Sequence, residues 1–285
     1  MELSVIIPAY NEAKSISEVI QKTRQVLESL GATFELIVVE DGSTDATREI
    51  LRGIDGVRVV EHPQNLGYGA SLKTGIRTAQ ADWVAILDAD GTYPETTLRD
   101  LWALASEADM VVAARTGQNV HIPWIRRPAK RIVTRFAEYI AGRRIPDLNS
   151  GMRLMRKSIV ERFLHLLPDG FSFTTTITLA MIVDGYRVKY VSTDYLKREG
   201  HSKIRPIADT LNFFSLITRT GLYFRPLKVF VPVSLMLFLL GLLVLFGSWW
   251  QLGRIMDSTA TILIMTGVQF LAMGMLAELI IRRSR

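Results

Sequence analysis

The sequence contains no cysteine, which excludes structural disulfides and thiolate metal sites. Its four histidines, His62, His121, His165 and His201, are scattered without the spacing of a zinc site. No Gly-X-Gly-X-X-Gly follows the first apolar segment and no Gly-Lys-Ser/Thr loop occurs, which argues against a dinucleotide oxidoreductase and a P-loop enzyme. The basic start, apolar stretch and cleavage site of a signal peptide are also missing. Met1 and Glu2 lead directly into an apolar segment, so the bulk of the chain is expected to stay cytoplasmic.

Charge is missing from two long stretches, Val229 to Trp250 and Ser258 to Ala277. Each is near the ~20 residues that cross a ~30 Å hydrocarbon layer, so the pair reads as a transmembrane hairpin, the alternative being two buried core helices. A 48% hydrophobic share and a mean hydropathy of +0.20 are high for a wholly soluble protein. Arg225 and Lys228 precede the first span and Arg282, Arg283 and Arg285 follow the second, whereas the connecting turn carries only Arg254. The positive-inside rule therefore places both ends in the cytoplasm, with Trp249 and Trp250 in the far interfacial belt.

In the rest of the 285 residues, strand and helix signals alternate. Strands are expected at Leu3 to Ile7, Phe34 to Val39, Val57 to Glu61, Trp83 to Leu87 and Met110 to Ala114. Helices are expected between them at Ser15 to Leu30, Asp45 to Arg52, Gly69 to Ala79 and Glu95 to Ala105, with Ser15 and Glu18 in capping-box register. Such alternation implies an α/β fold with a mainly parallel, doubly wound sheet that binds ligands at the strands' carboxyl ends. Farther on, Phe173 to Asp184 reads as a helix and Arg187 to Val191 as a strand. Pro206 to Leu222 reads as an amphipathic helix whose Ile207, Leu211, Phe214 and Ile217 stripe could pack on the core or lie in the headgroup region, its position just before the first span favouring the interface.

Between Arg115 and Lys157 stand eleven Lys or Arg and two acids, Glu138 and Asp147. Ile125 to Ile140 has the spacing of a basic amphipathic helix, a pattern that suits an anionic bilayer surface. A nucleic-acid patch competes with that reading, but the hairpin makes the membrane the nearer anion, and no nucleic-acid partner is expected. Arg126, Arg127, Lys130 and Arg131 are read as membrane contacts.

Site chemistry should gather at the strand ends. The apolar run Trp83 to Leu87 ends in Asp88-Ala89-Asp90, which delivers carboxylate oxygens to the sheet edge, where hard cations and the phosphates they bridge are held. Asp41, one residue past the second strand, is expected to contact ligand, and Asp45 to cap its helix. Asn65-Leu66-Gly67-Tyr68-Gly69-Ala70 allows close backbone approach to a ligand, with Lys73 one turn on to meet phosphate.

Pro8-Ala9-Tyr10-Asn11-Glu12, Glu40-Asp41-Gly42-Ser43-Thr44-Asp45, Asn65-Leu66-Gly67 and Asp88-Ala89-Asp90-Gly91-Thr92-Tyr93-Pro94 resemble, in order and spacing, the family 2 glycosyltransferases with the glycosyltransferase A fold. Asp147-Leu148-Asn149-Ser150-Gly151-Met152-Arg153 and Arg198-Glu199-Gly200-His201-Ser202-Lys203 are similar to segments of the polyprenyl-phosphate, or dolichyl-phosphate mannose synthase, group. The resemblance implies a Rossmann-like, mainly parallel sheet with interfacial helices. It divides the chain into a cytoplasmic catalytic domain over 1–200, a juxtamembrane segment over 201–227 and a hairpin over 228–285, with spans near 229–250 and 258–280.

It further implies inverting transfer of a hexose from a UDP- or GDP-sugar to polyprenyl phosphate, dolichyl or undecaprenyl. By similarity Pro8, Tyr10, Glu12, Val39, Asp41 and Ala89 hold the nucleotide sugar. Asp88, Asp90 and Thr92 surround a Mg²⁺ or Mn²⁺ on the diphosphate, although many such enzymes carry Gln where Thr92 stands. Asp147 joins Asp88 and Asp90 in the catalytic set, as a base or by orienting hydroxyls. A phosphate acceptor calls for cations, and Arg115, Arg198 and Lys203 fill that role with Ser202 as a donor. Short hairpins of this group can associate, which leaves a homo-oligomer open. A processive polysaccharide synthase is the alternative enzyme, but its Gln-X-X-Arg-Trp and Thr-Glu-Asp motifs are absent. A non-catalytic membrane scaffold is the alternative outside enzymes.

Overall fold

The computed structural model describes residues 1–120, 127–196, 206–252 and 257–284. The elements β1 (Leu3–Ala9), α1 (Ile16–Glu28), β2 (Phe34–Glu40), α2 (Thr47–Arg52), β3 (Arg58–Glu61), α3 (Tyr68–Thr78), β4 (Trp83–Ile86) and α4 (Thr97–Ala103) alternate as the apolar periodicity requires. After them come β5 (Met110–Val120), α5 (Arg127–Ala141), β6 (Arg153–Arg156), α6 (Lys157–Phe163), α7 (Phe173–Val183) and β7 (Val188–Tyr195). The chain closes with α8 (Pro206–Phe224), α9 (Leu227–Leu252) and α10 (Asp257–Ser284).

The strands form one sheet of seven in the order β3-β2-β1-β4-β6-β5-β7. β1 pairs in parallel with β2 on one side and β4 on the other, so the winding reverses there. A crevice opens at the carboxyl ends of strands at such a switch point, and it is there that Ala9 and Leu87 hand over to their loops. Side chains alternate across β1: Ile6 joins Leu72, Ile76 and Ile177 on one face, while Val5 and Ile7 join Ile20, Leu36 and Leu101 on the other. Both faces are covered, which is why the strands read as unbroken apolar runs.

Two elements depart from expectation. β6 runs antiparallel between β4 and β5, and α6 follows it directly. Arg153-Leu154-Met155-Arg156 hides its strand character because Arg153 is fully buried. The expected capping box is also not formed. The Ser15 hydroxyl turns back to the Glu12 carbonyl and carboxylate at 3.4 Å, and Glu18 pairs with Lys22 at 2.7 Å.

The basic helix is present from Arg127, with Arg131, Ile132, Arg135 and Tyr139 exposed on one face. The stripe on α8 is corrected where it is described. Ile217 is buried, and Phe214 stacks on Phe136 with ring centroids 4.9 Å apart. This stripe packs on protein because α5 offers it an apolar partner; Arg219, Leu222 and Tyr223 form the exposed side. The side chains of Ile207 and Leu211, and residues 121–126, lie outside what is described.

At the end of α5, Gly142 takes φ +75° and its N–H bonds the Glu138 carbonyl. Lys228 donates to the carbonyls of Tyr139 and Ile140 at 2.7 and 3.2 Å, and Arg225 to that of Ala141 at 3.2 Å. Cations are thus placed on the negative end of the helix dipole. Replacing both with Met is expected to cost about 1–2 kcal/mol, read as a lower melting midpoint in detergent.

α9 and α10 pack closely at small residues. The Ser234 hydroxyl donates to the Gly267 carbonyl at 2.7 Å, and a Cβ on Gly274 would lie 3.2 Å from Phe230 Cγ. Their outer surface is bare and apolar, with Leu243 69%, Trp250 87% and Ile280 69% exposed. Core helices would be covered, so this surface fits lipid.

Candidate active site

The loop after β1 and the loop after β2 interlock. Asn11, the one non-glycine at positive φ among the described residues, donates its N–H to Ser43 Oγ and accepts the Thr44 N–H on its side chain at 2.8 Å. Asp45 lies one residue before the N-cap of α2, which is Ala46, and instead of capping it closes a local turn, accepting the Thr47 N–H at 3.0 Å and also the Ala13 N–H. Glu40 turns inward onto Arg48 at 2.7 Å. Burial raises its pKa, but hydrogen bonds from Ser43 and the Arg48 guanidinium outweigh that and hold it below the usual carboxylate value.

Pro8, Tyr10 and Glu12 are partly exposed at this edge. Val39 is not: its side chain is fully buried in the core, so only its backbone borders the crevice. Ala89 is likewise buried. Asp41 is 2% exposed and organises protein. Its Oδ1 accepts from His62 Nδ1 at 2.7 Å and the Leu66 N–H at 2.9 Å, and its Oδ2 accepts the Gly67 N–H at 2.9 Å. These bonds make Asp41 shape the loop over the crevice. The Lys73 ammonium pairs with Asp169 at 2.8 Å.

Past β4, Asp88 and Asp90 are both partly exposed. Asp88 Oδ1 accepts the Tyr68 hydroxyl at 2.9 Å, and Asp90 Oδ1 accepts the Thr92 hydroxyl at 2.6 Å and its N–H at 3.2 Å. Thr92 is fully buried and directs its hydroxyl proton at Asp90, which fixes the orientation of that carboxylate. Two hard oxygen donors fit Mg²⁺ or Mn²⁺, ions that complete their shell with substrate phosphate and water. No cluster of three or more His, Asp or Glu appears among the described residues.

Asp147 and Arg115, expected in separate roles, meet in one buried pair. Arg115 donates Nε to Asp147 Oδ2 at 2.7 Å and Nη2 to Oδ1 at 2.9 Å, and its backbone N–H adds a third bond at 3.1 Å. Burial favours loss of the Arg115 proton, yet the bonds to Asp147 prevail and raise its pKa. The guanidinium also lies 5.1 Å from the Tyr195 ring centre, and Tyr195 packs edge-on against Tyr93. Arg115 is thus matched with an anion within the protein. The other proposed cations, Arg198 and Lys203, and Ser202 with them, lie outside the described residues.

Tyr93 ties this pair to the acidic edge by accepting the Gly151 N–H at 2.9 Å and bonding Ser150 Oγ at 3.1 Å. Gly151 in turn packs on Asp88; a Cβ there would sit 2.8 Å from Asp88 Cγ. Behind the turn, buried Arg153 holds the Thr174 carbonyl and Thr178 Oγ1, each at 3.0 Å, and the Ser150 carbonyl. Sequence reasoning did not single out Tyr68, His62, Tyr93 or Tyr195, whose respective partners Asp88, Asp41, Gly151 and Arg115 stand from 20 to 80 residues away. Tyr68 was the most accessible of them, since it lies inside the glycine-rich segment.

A doubly wound sheet with an acidic pair at the switch point and one antiparallel strand beside it defines a glycosyltransferase of the A-fold class. The chain belongs to glycosyl transferase family 2, whose profile matches residues 4–164, and a GtrB C-terminal hairpin matches residues 225–282. The undecaprenyl-phosphate 4-deoxy-4-formamido-L-arabinose transferase of Edwardsiella ictaluri (strain 93-146) is 30% identical over 294 residues, covering 98% of this chain and 88% of that relative. Its counterpart of the same name in Enterobacter sp. (strain 638) is 29% identical over 295 residues, covering 98% and 88%. Among solved structures, glucosyl-3-phosphoglycerate synthase from Mycobacterium tuberculosis, bound to Mn²⁺, UDP and phosphoglyceric acid, aligns with a TM-score of 0.62 at 19% identity, covering 77% of this chain and 78% of its own. S. aureus TarS 1-349 with UDP aligns at 0.54 and 20% identity, covering 77% and 65%. At these identities the structural likeness carries the fold. The hairpin match and the bare apolar helices make this a membrane protein.

Gly151→Ala is expected to lower glycosyl transfer about 10²-fold by displacing the Asp88 carboxylate, as steady-state rates with a labelled donor would show.

Proposed function

We propose that this enzyme moves a sugar from a nucleotide diphosphate sugar to the phosphate of a polyprenyl phosphate, at the cytoplasmic face of a membrane. The observation that carries this is a likeness running through the hairpin, over 98% of the chain, to proteins named as undecaprenyl-phosphate sugar transferases. The named sugar there is a modified pentose, so a hexose is one option for the donor and not a requirement.

In this reading residues 1–200 form the catalytic domain, 201–227 the juxtamembrane segment and 228–285 the hairpin. Both chain ends lie in the cytoplasm because the flanking Arg and Lys favour that side. Pro8, Tyr10 and Glu12 border the nucleoside, with Asp41 and His62 shaping the loop above it. Asp88 and Asp90 would hold a Mg²⁺ or Mn²⁺, which when bound supplies positive charge where the leaving diphosphate becomes anionic. Asp147, paired with Arg115, orients groups near the reacting carbon and does not need to take a proton. An acceptor phosphate with a second pKa near ~6 is already largely dianionic at neutral pH. Its oxygen attacks from the face opposite the diphosphate, and positioning dominates the catalysis. Arg198 and Lys203, with Ser202, are the proposed cradle for that dianion. Arg131, Arg135 and Arg219 face outward, as contacts with anionic headgroups require.

The test is a donor panel. Purified protein with undecaprenyl or dolichyl phosphate and radiolabelled UDP- and GDP-hexoses and UDP-pentoses should give a chloroform-soluble labelled product with at least one donor. Failure with every donor would refute the acceptor assignment, and release of a water-soluble polymer would point to a synthase.

A further inference from the structure

We propose that Tyr68 is a positioning residue that aims Asp88 at the divalent cation of the donor complex. This rests on the proposed metal role of Asp88, and it concerns a residue outside the acidic motif.

An Asp carboxylate turns broadly about its terminal torsion, so its ligand geometry depends on what fixes one oxygen. The Tyr68 hydroxyl does so by donating to Oδ1 at 2.9 Å. Gly151 closes on the carboxylate from a neighbouring turn, where a Cβ would meet both carboxylate oxygens. Between these contacts the direction of Oδ2 is set before any ion arrives.

The phenol is itself held in place. Tyr68 opens α3 directly after Gly67, whose φ of +104° few other residues adopt and whose N–H is fixed on Asp41. Ala70, two residues on, donates its N–H to the Asp169 carbonyl at 3.0 Å. The ring stacks on Phe171 with centroids 5.4 Å apart and planes 17° from parallel. A phenol keeps its proton at neutral pH, so the hydroxyl stays a donor to Asp88. Donors to a ligating carboxylate tune metal affinity in this way, and losing one typically weakens binding about 10–100-fold.

Tyr68→Phe keeps the ring and its stacking and removes the hydroxyl. Mn²⁺ titrated into protein and UDP, followed by the loss of the free-ion electron paramagnetic resonance signal, should bind about 10–100-fold more weakly to this variant. UDP affinity without metal should be unchanged. Phe171→Ala, which removes the stacking partner and leaves the hydroxyl, should weaken Mn²⁺ binding less. Mn²⁺ affinity within about twofold of wild type in Tyr68→Phe would overturn the inference. An equal or larger loss in Phe171→Ala would overturn it as well, because the effect would then belong to loop packing. A wild-type protein that binds no Mn²⁺ with UDP would remove the metal reading beneath it, a result distinct from either.

Discussion

Asp90→Asn is expected to lower sugar transfer about 10³-fold with little change in the melting midpoint, since charge placed on the leaving diphosphate is among the largest catalytic terms. Asn is the informative choice. Its carbonyl oxygen can still accept the Thr92 hydroxyl and N–H that close the turn after β4. A loss of activity therefore reports the missing charge and not a collapsed turn. The measurement is a labelled-donor assay beside a thermal melt. An Asp90→Asn enzyme within about tenfold of wild type would mean that the carboxylate serves the turn and little else.

Arg115→Met is expected to destabilise the catalytic domain by about 3–5 kcal/mol, because Asp147 would be left charged in a site where it is 1% exposed. The companion experiment is the double variant Arg115→Met, Asp147→Leu. Replacing both members of a buried pair by apolar residues is often close to neutral, so stability should return while activity does not. Denaturant melts of the single and double variants give the coupling energy. A loss under about 1 kcal/mol for Arg115→Met would place the pair with exposed salt bridges, whose contribution is small.

These contacts show where sequence reasoning reached and where it stopped. β1, β2 and β4 were legible because a strand buried on both faces must be apolar throughout. The acidic pair was legible because it follows such a strand at once. β6 was not, since its first residue is an arginine whose charge is met by carbonyls and a hydroxyl that only the folded chain brings near. The same holds for side-chain partners. Arg115 and Asp147 looked like separate reagents in a linear reading, yet 32 residues apart they are one hydrogen-bonded unit. Thr92 stood where a ligand was expected, and only the geometry of its hydroxyl shows it serving Asp90. On α8 the apolar stripe was plain, but whether protein or lipid covers it depended on Phe136 of a helix far back in the chain.

The grip of Arg225 and Lys228 on the end of α5 ties the base of the hairpin to the catalytic domain. A helix pair adjusts its tilt to the thickness of the surrounding lipid, at a cost of a fraction of a kcal/mol per Å of mismatch. With Lys228 in α9 and Arg225 just before it both holding the end of α5, a change of tilt in α9 is passed on to the body of the catalytic domain.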